Sequence, residues 1–163
     1  MLTVENPLPV PMRREILALA AQELHPRGAG VAALRLVQAR FGWVSTTHLR
    51  EVAVLLGMSA DDLDGVATYF NLLFRRPVGR HVIMLCDSVS CWIMGREPLC
   101  AHLCRKLNIR PGETTADNAI TLLPTVCIGH CDHAPAMLVD NTLHGDVDTT
   151  TLDHLIDTLR DTP

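Results

Sequence analysis

Apolar residues recur at helical spacing through the first 70 residues of the chain. The clearest stripe consists of Val31, Leu34, Val37 and Phe41. Gly42 follows this stripe as a stop signal. Similar stripes, with a proline or serine near their starts, predict helices from about residues 11, 46 and 60. We therefore predict a small helical bundle within residues 1–70, preceded by a proline-rich extended arm over the first ten residues.

After residue 70 the pattern changes to short apolar runs that are typical of β-strands. The predicted elements are two strands in residues 71–86, a helix in 95–109, strands in 120–127, 136–140 and 142–147, and a helix in 148–161. A helix between β segments favours a crossover connection. The order β-β-α-β-β-β-α thus predicts an α/β or α+β domain over residues 71–163.

Composition excludes several classes of protein. The chain has 163 residues, of which 48% are hydrophobic and 20% charged, so it can bury a core. No run approaches the roughly 18 apolar residues of a membrane span. The first residues lack the basic and apolar regions of a secretion signal. We therefore expect a cytosolic protein. In the cytosol, paired cysteines more often bind metal or carry out redox chemistry than form structural disulfides.

Charge is distributed unevenly along the chain, whose net charge is −4. Residues 111–159 contain eight acidic residues and no Lys or Arg. No part of the chain has the basic stripe of a nucleic-acid-binding protein, so we expect no nucleic-acid partner.

Four of the six cysteines follow predicted strands in two pairs. Cys86 and Cys91 belong to the stretch CDSVSC, and Cys127 and Cys131 to CIGHC. A [2Fe–2S] cluster needs four thiolates, which two loops with two cysteines each can supply. Gly129 lies within the second pair, where a missing side chain lets backbone N–H groups approach cluster sulfurs.

Other kinds of site fit the cysteine spacing less well. Zinc prefers close pairs, which CIGHC allows and CDSVSC supports only weakly, so a zinc-stabilised interaction module remains an alternative. A thioredoxin-type dithiol needs C-x-x-C, which neither pair has. A plant-type ferredoxin would have a cysteine at Met94, and a Rieske site would need two histidine ligands. We expect His130 and His133 to be exposed loop residues, and Cys100 and Cys104 to pack in a helical core.

Over almost its whole length the sequence resembles the E-subunit family of bacterial NADH:quinone oxidoreductase, respiratory complex I. This family is homologous to the mitochondrial flavoprotein-2 subunit. The segments that carry the resemblance are FGWVS at 41–45, GVATYF at 65–70, PVGRHVI at 77–83, CDSVSC at 86–91 and LLPTVCIGHCDHAP at 122–135. Together they are highly specific for this family.

The resemblance implies a thioredoxin-like [2Fe–2S] ferredoxin domain behind the N-terminal bundle. Its one cluster would be held by Cys86, Cys91, Cys127 and Cys131. The family implies an electron-transfer subunit without a catalytic residue, docked on an F subunit that holds FMN, the NADH site and a [4Fe–4S] cluster. The large iron–sulfur G subunit is a further implied partner. The chain itself has no G-x-G-x-x-G motif, so we expect nucleotide binding on the partner.

The resemblance also implies a place on the cytoplasmic side of the membrane, in the peripheral arm of the complex, without direct membrane insertion. The equivalent diaphorase subunit of a soluble NAD-linked hydrogenase or formate dehydrogenase has the same motifs and is the alternative. Because negative surroundings disfavour reduction, we hypothesise that the acidic segment 111–159 holds the cluster potential low.

Overall fold

The computed structural model describes residues 7–161, so the first part of the predicted N-terminal arm lies outside the described residues. These residues form two units, 7–77 and 78–161. The segment 71–77, which the sequence groups with the second domain, belongs to the first unit. Among the described residues, no helix combines the length and the apolar character needed to cross a membrane.

The first unit contains four α-helices, as predicted: α1 (Val10–Gln22), α2 (Gly30–Phe41), α3 (Thr46–Leu56) and α4 (Ala60–Tyr69). Serine side chains cap two of them, because the Oγ of Ser45 accepts from the His48 N–H at 3.1 Å and that of Ser59 from the Asp62 N–H at 3.0 Å. Gly42 ends α2 at a φ of +80°, in the left-handed region that favours glycine.

The strand predicted at the start of residues 71–86 is wrong, because this segment packs into the helical unit. Leu73 is buried in the same core as the helices. The Phe74 N–H donates to Gln38 Oε1 at 2.6 Å, and its carbonyl accepts from the Val44 N–H at 2.7 Å. The backbone groups of Phe74 are thus satisfied by α2 and the loop after it rather than by a strand partner.

The second unit contains the predicted sheet and helices. It also contains two short helices that were not predicted, one α-helix and a 3-10 helix at Cys131–His133. Its elements are β1 (His81–Cys86), α5 (Val89–Ile93), α6 (Arg96–Leu107), β2 (Ile120–Thr125), β3 (Met137–Val139), β4 (Thr142–His144) and α7 (Thr149–Asp161). The unpredicted α-helix is α5, which at five residues is too short to have a periodic pattern. The predicted fold class, a helical bundle followed by an α/β unit, is confirmed.

The four strands form one sheet in the order β2-β1-β3-β4. β1 runs parallel to β2, and β3 pairs antiparallel with both β1 and β4. A parallel pair needs a crossover connection, which α5 and α6 provide. α6 also packs against β1 and α7. The core of this unit includes Ile83, Leu103, Ile120, Leu152 and Ile156, all fully buried.

A turn ahead of β2 generates a prediction about stability at low pH. The Asp117 carboxylate accepts hydrogen bonds from the Thr115 hydroxyl and from the Ala119 N–H, and these bonds lower the pKa of Asp117. The unfolded chain has an ordinary aspartate pKa of about 3.9. The contribution to the free energy of unfolding is therefore complete above that value and is lost as the pH falls through the lower folded-state pKa.

We expect Asp117→Asn to destabilise the protein at neutral pH, and this difference from the wild type to shrink as the pH falls below about 3.9. Urea denaturation over a series of pH values measures it. A difference that stays constant across the series would contradict the assignment.

Candidate metal centre

The parallel pairing of β1 and β2 brings two cysteine-containing loops to one edge of the sheet. Cys86 ends β1 and lies opposite Thr125, the last residue of β2. The Asp87 N–H donates to the Thr125 carbonyl at 2.8 Å and extends this pairing by one step. Because parallel strands end at the same edge, the loop that contains Cys127 begins beside the loop that follows Cys86.

The four cysteines form two pairs, which we call the inner pair (Cys86 and Cys91) and the outer pair (Cys127 and Cys131). The thiols of the inner pair hydrogen-bond each other. In the outer pair the two Sγ atoms lie 3.4 Å apart. The charge of Cys131 acts on both inner thiols, so the two pairs are neighbours. The predicted ligand residues are thereby brought together at the carboxyl ends of β1 and β2.

Two thiol pairs suit a two-iron cluster, in which each iron takes two thiolates. Within residues 7–161, no three His, Cys, Asp or Glu side chains are gathered closely enough to hold a single metal ion. All six cysteines have free thiols. The donor set, four free thiols in two adjacent pairs, therefore fits a [2Fe–2S] cluster.

The two pairs differ sharply in exposure. Each cysteine of the inner pair is 1% exposed, whereas both cysteines of the outer pair are exposed. Ala134, Ala136 and Ile128 form a small apolar cluster with the inner pair. Burial raises the pKa of the Cys91 thiol, since it disfavours the charged thiolate. The inner pair is thus shielded from water, whereas the outer pair faces solvent.

Hydrogen-bond donors surround the outer pair. The Gly129 N–H, at a φ of +81°, points toward Cys127 Sγ at 3.5 Å and lowers the pKa of that thiol. The hydroxyl groups of Ser88 and Ser90 contact Cys127 and Cys131, respectively. The sequence predicted the role of Gly129 but not those of the serines. Their signal is their position inside CDSVSC, between the two cysteines of the inner pair.

The remaining residues considered from the sequence lie beside the site or away from it. The rings of His130 and His133 contact each other at a tilt of 30° with centroids 4.7 Å apart, and His133 Nδ1 lies 2.6 Å from Asp146 Oδ2. That hydrogen bond raises the pKa of His133. Cys100 and Cys104 pack against the core of the second unit and are half-buried, so their predicted place in a helical core is confirmed only in part.

Comparison with known proteins agrees with this geometry. The sequence model of one protein family, described as thioredoxin-like [2Fe–2S] ferredoxin, matches residues 16–160. The chain belongs to this family. This match confirms the predicted thioredoxin-like [2Fe–2S] ferredoxin domain and its cofactor, one [2Fe–2S] cluster. The match spans α2 to α6, nearly all of α7 and all four strands of this ferredoxin.

Among the relatives of this ferredoxin chain are two proteins named as the E subunit of NADH-quinone oxidoreductase. The protein from Escherichia coli strain K12 is 46% identical over 132 residues, which cover 81% of this chain and 80% of that protein. The protein from Pseudomonas aeruginosa is 46% identical over 122 residues, which cover 75% and 74%.

A solved structure with a similar fold is the NAD+-reducing [NiFe]-hydrogenase in its H2-reduced state. It has a TM-score of 0.72 and 27% sequence identity over 83% of this chain. The ferredoxin chain spans only 22% of that hydrogenase chain.

The difference in exposure predicts the order in which the thiols of the metal-free protein react with an alkylating reagent. We expect the outer pair to react first and Cys127 fastest, because its pKa is lowered and the thiolate is the reactive form. The inner pair should react slowest, and the half-buried Cys100 and Cys104 at intermediate rates. Timed alkylation followed by peptide mass spectrometry measures the order.

A denatured sample, in which all six cysteines are equally accessible, is the control for this experiment. Equal rates for the inner and outer pairs in the folded protein would contradict the observed burial.

Proposed function

We propose that this chain is a one-electron carrier that holds a [2Fe–2S] cluster with its inner and outer cysteine pairs. In this proposal the cluster exchanges electrons with FMN on a partner F subunit of an NADH-quinone oxidoreductase complex. The observation that supports it best is the meeting of four free thiols at the ends of β1 and β2, in a chain of a [2Fe–2S] ferredoxin family.

The relatives favour the complex I assignment over the alternative. Two relatives named as the E subunit of that complex are 46% identical, and the chain spans about three quarters or more of each. The predicted function, an electron-transfer subunit of this type of oxidoreductase, is thereby confirmed. The likeness to the NAD+-reducing hydrogenase fits the predicted diaphorase alternative as well, but at 27% identity and over 22% of a much longer chain.

Each part of the site has a distinct task in this proposal. A bound [2Fe–2S] cluster supplies a centre that accepts and releases one electron. The four cysteines would bind it as thiolates, two for each iron. The apolar cluster of Ala134, Ala136 and Ile128 excludes water from the inner side. The N–H of Gly129 and the hydroxyl groups of Ser88 and Ser90 donate to the outer thiolates and so stabilise their negative charge.

An apolar surface beside the site supports the proposed partner. It consists of Val89, Trp92, Ile93, Met94 and Val126, each 60–70% exposed, and we call it the docking surface. Four of these residues lie within 89–94, and clusters of large exposed apolar side chains are typical of protein interfaces. The docking surface belongs to the same two loops as the cysteines, so a protein that covers it also approaches the outer pair.

A shallow cavity of about 290 Å³ is lined by Asp87, which follows β1, and by Pro124, Thr125 and Val126 at the end of β2, and it can accept a partner side chain. We assign the docking surface to the F subunit, because a flavin must come close to the outer pair for rapid electron transfer. The G subunit would be a further member of the same complex. A peripheral position on the cytoplasmic side would follow from membership of that complex.

Cysteine substitutions test the ligand set. We expect Cys86→Ala and Cys127→Ala to lose most of the iron, acid-labile sulfide and visible absorption, because each removes one of four thiolates. Cys100→Ala and Cys104→Ala, in the same chain but on α6, should retain all three. Metal and sulfide analysis with visible spectra before and after dithionite measures these outcomes. Zinc with no visible absorption in the wild type would instead support the zinc-stabilised module.

A second experiment tests the docking surface. We expect Trp92→Glu to weaken binding to the F subunit at least about tenfold, because it places a charge in a desolvated interface centre. The cluster content should not change, since Trp92 is 60% exposed and the apolar cluster around the inner pair consists of Ala134, Ala136 and Ile128. Calorimetric titration of the isolated F subunit measures the affinity.

Leu143→Glu is the matched control, because Leu143 is also an exposed apolar residue, 44% exposed on β4, and lies outside the docking surface. Equal affinities of the two variants would contradict the assignment of this surface.

A further inference from the structure

A buried arginine lies at the start of α6. Arg96 is 9% exposed, and it is the first residue of this helix. Burying a cation is costly unless its charge and its N–H groups find partners. The position of Arg96 is therefore informative about the charges that surround it.

Two carboxylates accompany Arg96, and one of them belongs to a cysteine-containing loop. Its Nη1 donates to Glu97 Oε1 at 2.7 Å, and its Nε lies 3.5 Å from Asp87 Oδ1. Burial works against the charge of Arg96, but the hydrogen bond to Glu97 and the attraction of Cys100, Asp87 and Glu97 outweigh it, so the pKa of Arg96 is raised.

The Nε–H group of Arg96 is a hydrogen-bond donor that Asp87 can satisfy. It is buried and has no hydrogen-bond partner among the described residues, although Asp87 Oδ1 is only slightly too far away. Asp87 directly follows Cys86, and its N–H is bonded to the end of β2. A small inward movement of the Asp87 side chain would complete this hydrogen bond and fix the loop between the two cysteines of the inner pair.

The other Lys and Arg side chains of residues 78–161 lie at the opposite end of the unit. Arg80 precedes β1, whereas the cysteines follow it. Arg105 and Lys106 are in the last turn of α6, and Arg160 Nη2 lies 3.5 Å from the Lys106 carbonyl. Arg110 follows shortly after α6. Among the Lys and Arg residues of this described range, Arg96 is thus the one that lies against a cysteine-containing loop, through its approach to Asp87.

We propose that Arg96 is a positioning residue for the loop of the inner pair and the local cation that raises the reduction potential of the site. The inference rests on the proposed function, since it needs a cluster bound by the four cysteines. Reduction adds one electron and no proton, so the site becomes more negative by one charge. A nearby buried cation stabilises that state more than the oxidised one. Its sign is opposite to the effect that we hypothesise for the acidic segment 111–159.

The main test compares Arg96→Gln with Arg105→Gln, which removes the same charge nine residues along the same helix, about 13 Å away. We expect Arg96→Gln to raise the ratio of oxidised to reduced protein about tenfold at a fixed ambient potential. For one electron this equals a decrease of about 59 mV in the reduction potential. Arg105→Gln should leave the potential within experimental error of the wild type. A redox titration monitored by electron paramagnetic resonance measures both.

Arg96→Lys separates the two roles of the residue. It keeps the charge but lacks the planar fork that can bond Asp87 and Glu97 together. We expect Arg96→Lys to have a reduction potential close to that of the wild type, but not to hold the loop in position. In the metal-free protein, the inner pair should therefore be alkylated faster in both Arg96→Gln and Arg96→Lys than in the wild type.

Iron and acid-labile sulfide are measured first in every variant. A wild type without a cluster would refute the proposed function itself. If the cluster is present and Arg96→Gln has the same potential as the wild type, the inference about Arg96 is overturned. If Arg96→Gln cannot hold a cluster, the reduction potential of Glu97→Gln provides the test instead. This variant keeps the positive charge of Arg96 and removes the negative charge of Glu97 that opposes it. We expect its potential to rise, and an unchanged or lower potential would overturn the inference.

Discussion

The parallel pairing of β1 with β2 is the contact on which the site depends. In this register Cys86 lies opposite Thr125, so both strands end level and their loops start side by side. A slip of one residue would turn the side chain of Cys86 to the other face of the sheet and separate the inner from the outer pair. The crossover through α5 and α6 is what makes the parallel arrangement possible, and it also provides Cys91 and Arg96.

The position of an acidic residue in the sequence does not show whether its carboxylate lies close to the cysteines. Asp132 and Asp140 both belong to the acidic segment 111–159, but only Asp132 lies next to the outer pair in the chain. Asp140 accepts from the Val82 N–H at 2.8 Å and lies 2.6 Å from His81 Nδ1, near the opposite end of β1. The hypothesis that the whole segment lowers the potential therefore has to be narrowed to the carboxylates close to the cysteines.

Local signals in the sequence predicted most of the secondary structure. Amphipathic stripes with Ser45, Ser59 and Gly42 at their ends located the helices of the first unit, because caps and periodicity are local properties. The apolar run around Leu73 predicts a strand by local pattern, whereas its observed burial against helices depends on residues distant in the sequence. For the same reason the sheet order could not be deduced.

The candidate site was predictable to a similar extent. Spacing and family resemblance identified the four cysteines. The contacts of Ser88, Ser90 and Arg96 could not be predicted, because they arise from the relative position of two loops and a helix.

The exposure of the outer pair has a consequence for the life of the protein in the cell. Thiolates that face solvent are open to oxidants and to competing metal ions, whereas the inner pair is shielded by its own unit. In a complex whose partner covers the docking surface, both sides of the site are protected. We therefore expect a subunit without its partner to lose the cluster first from the side of the outer pair.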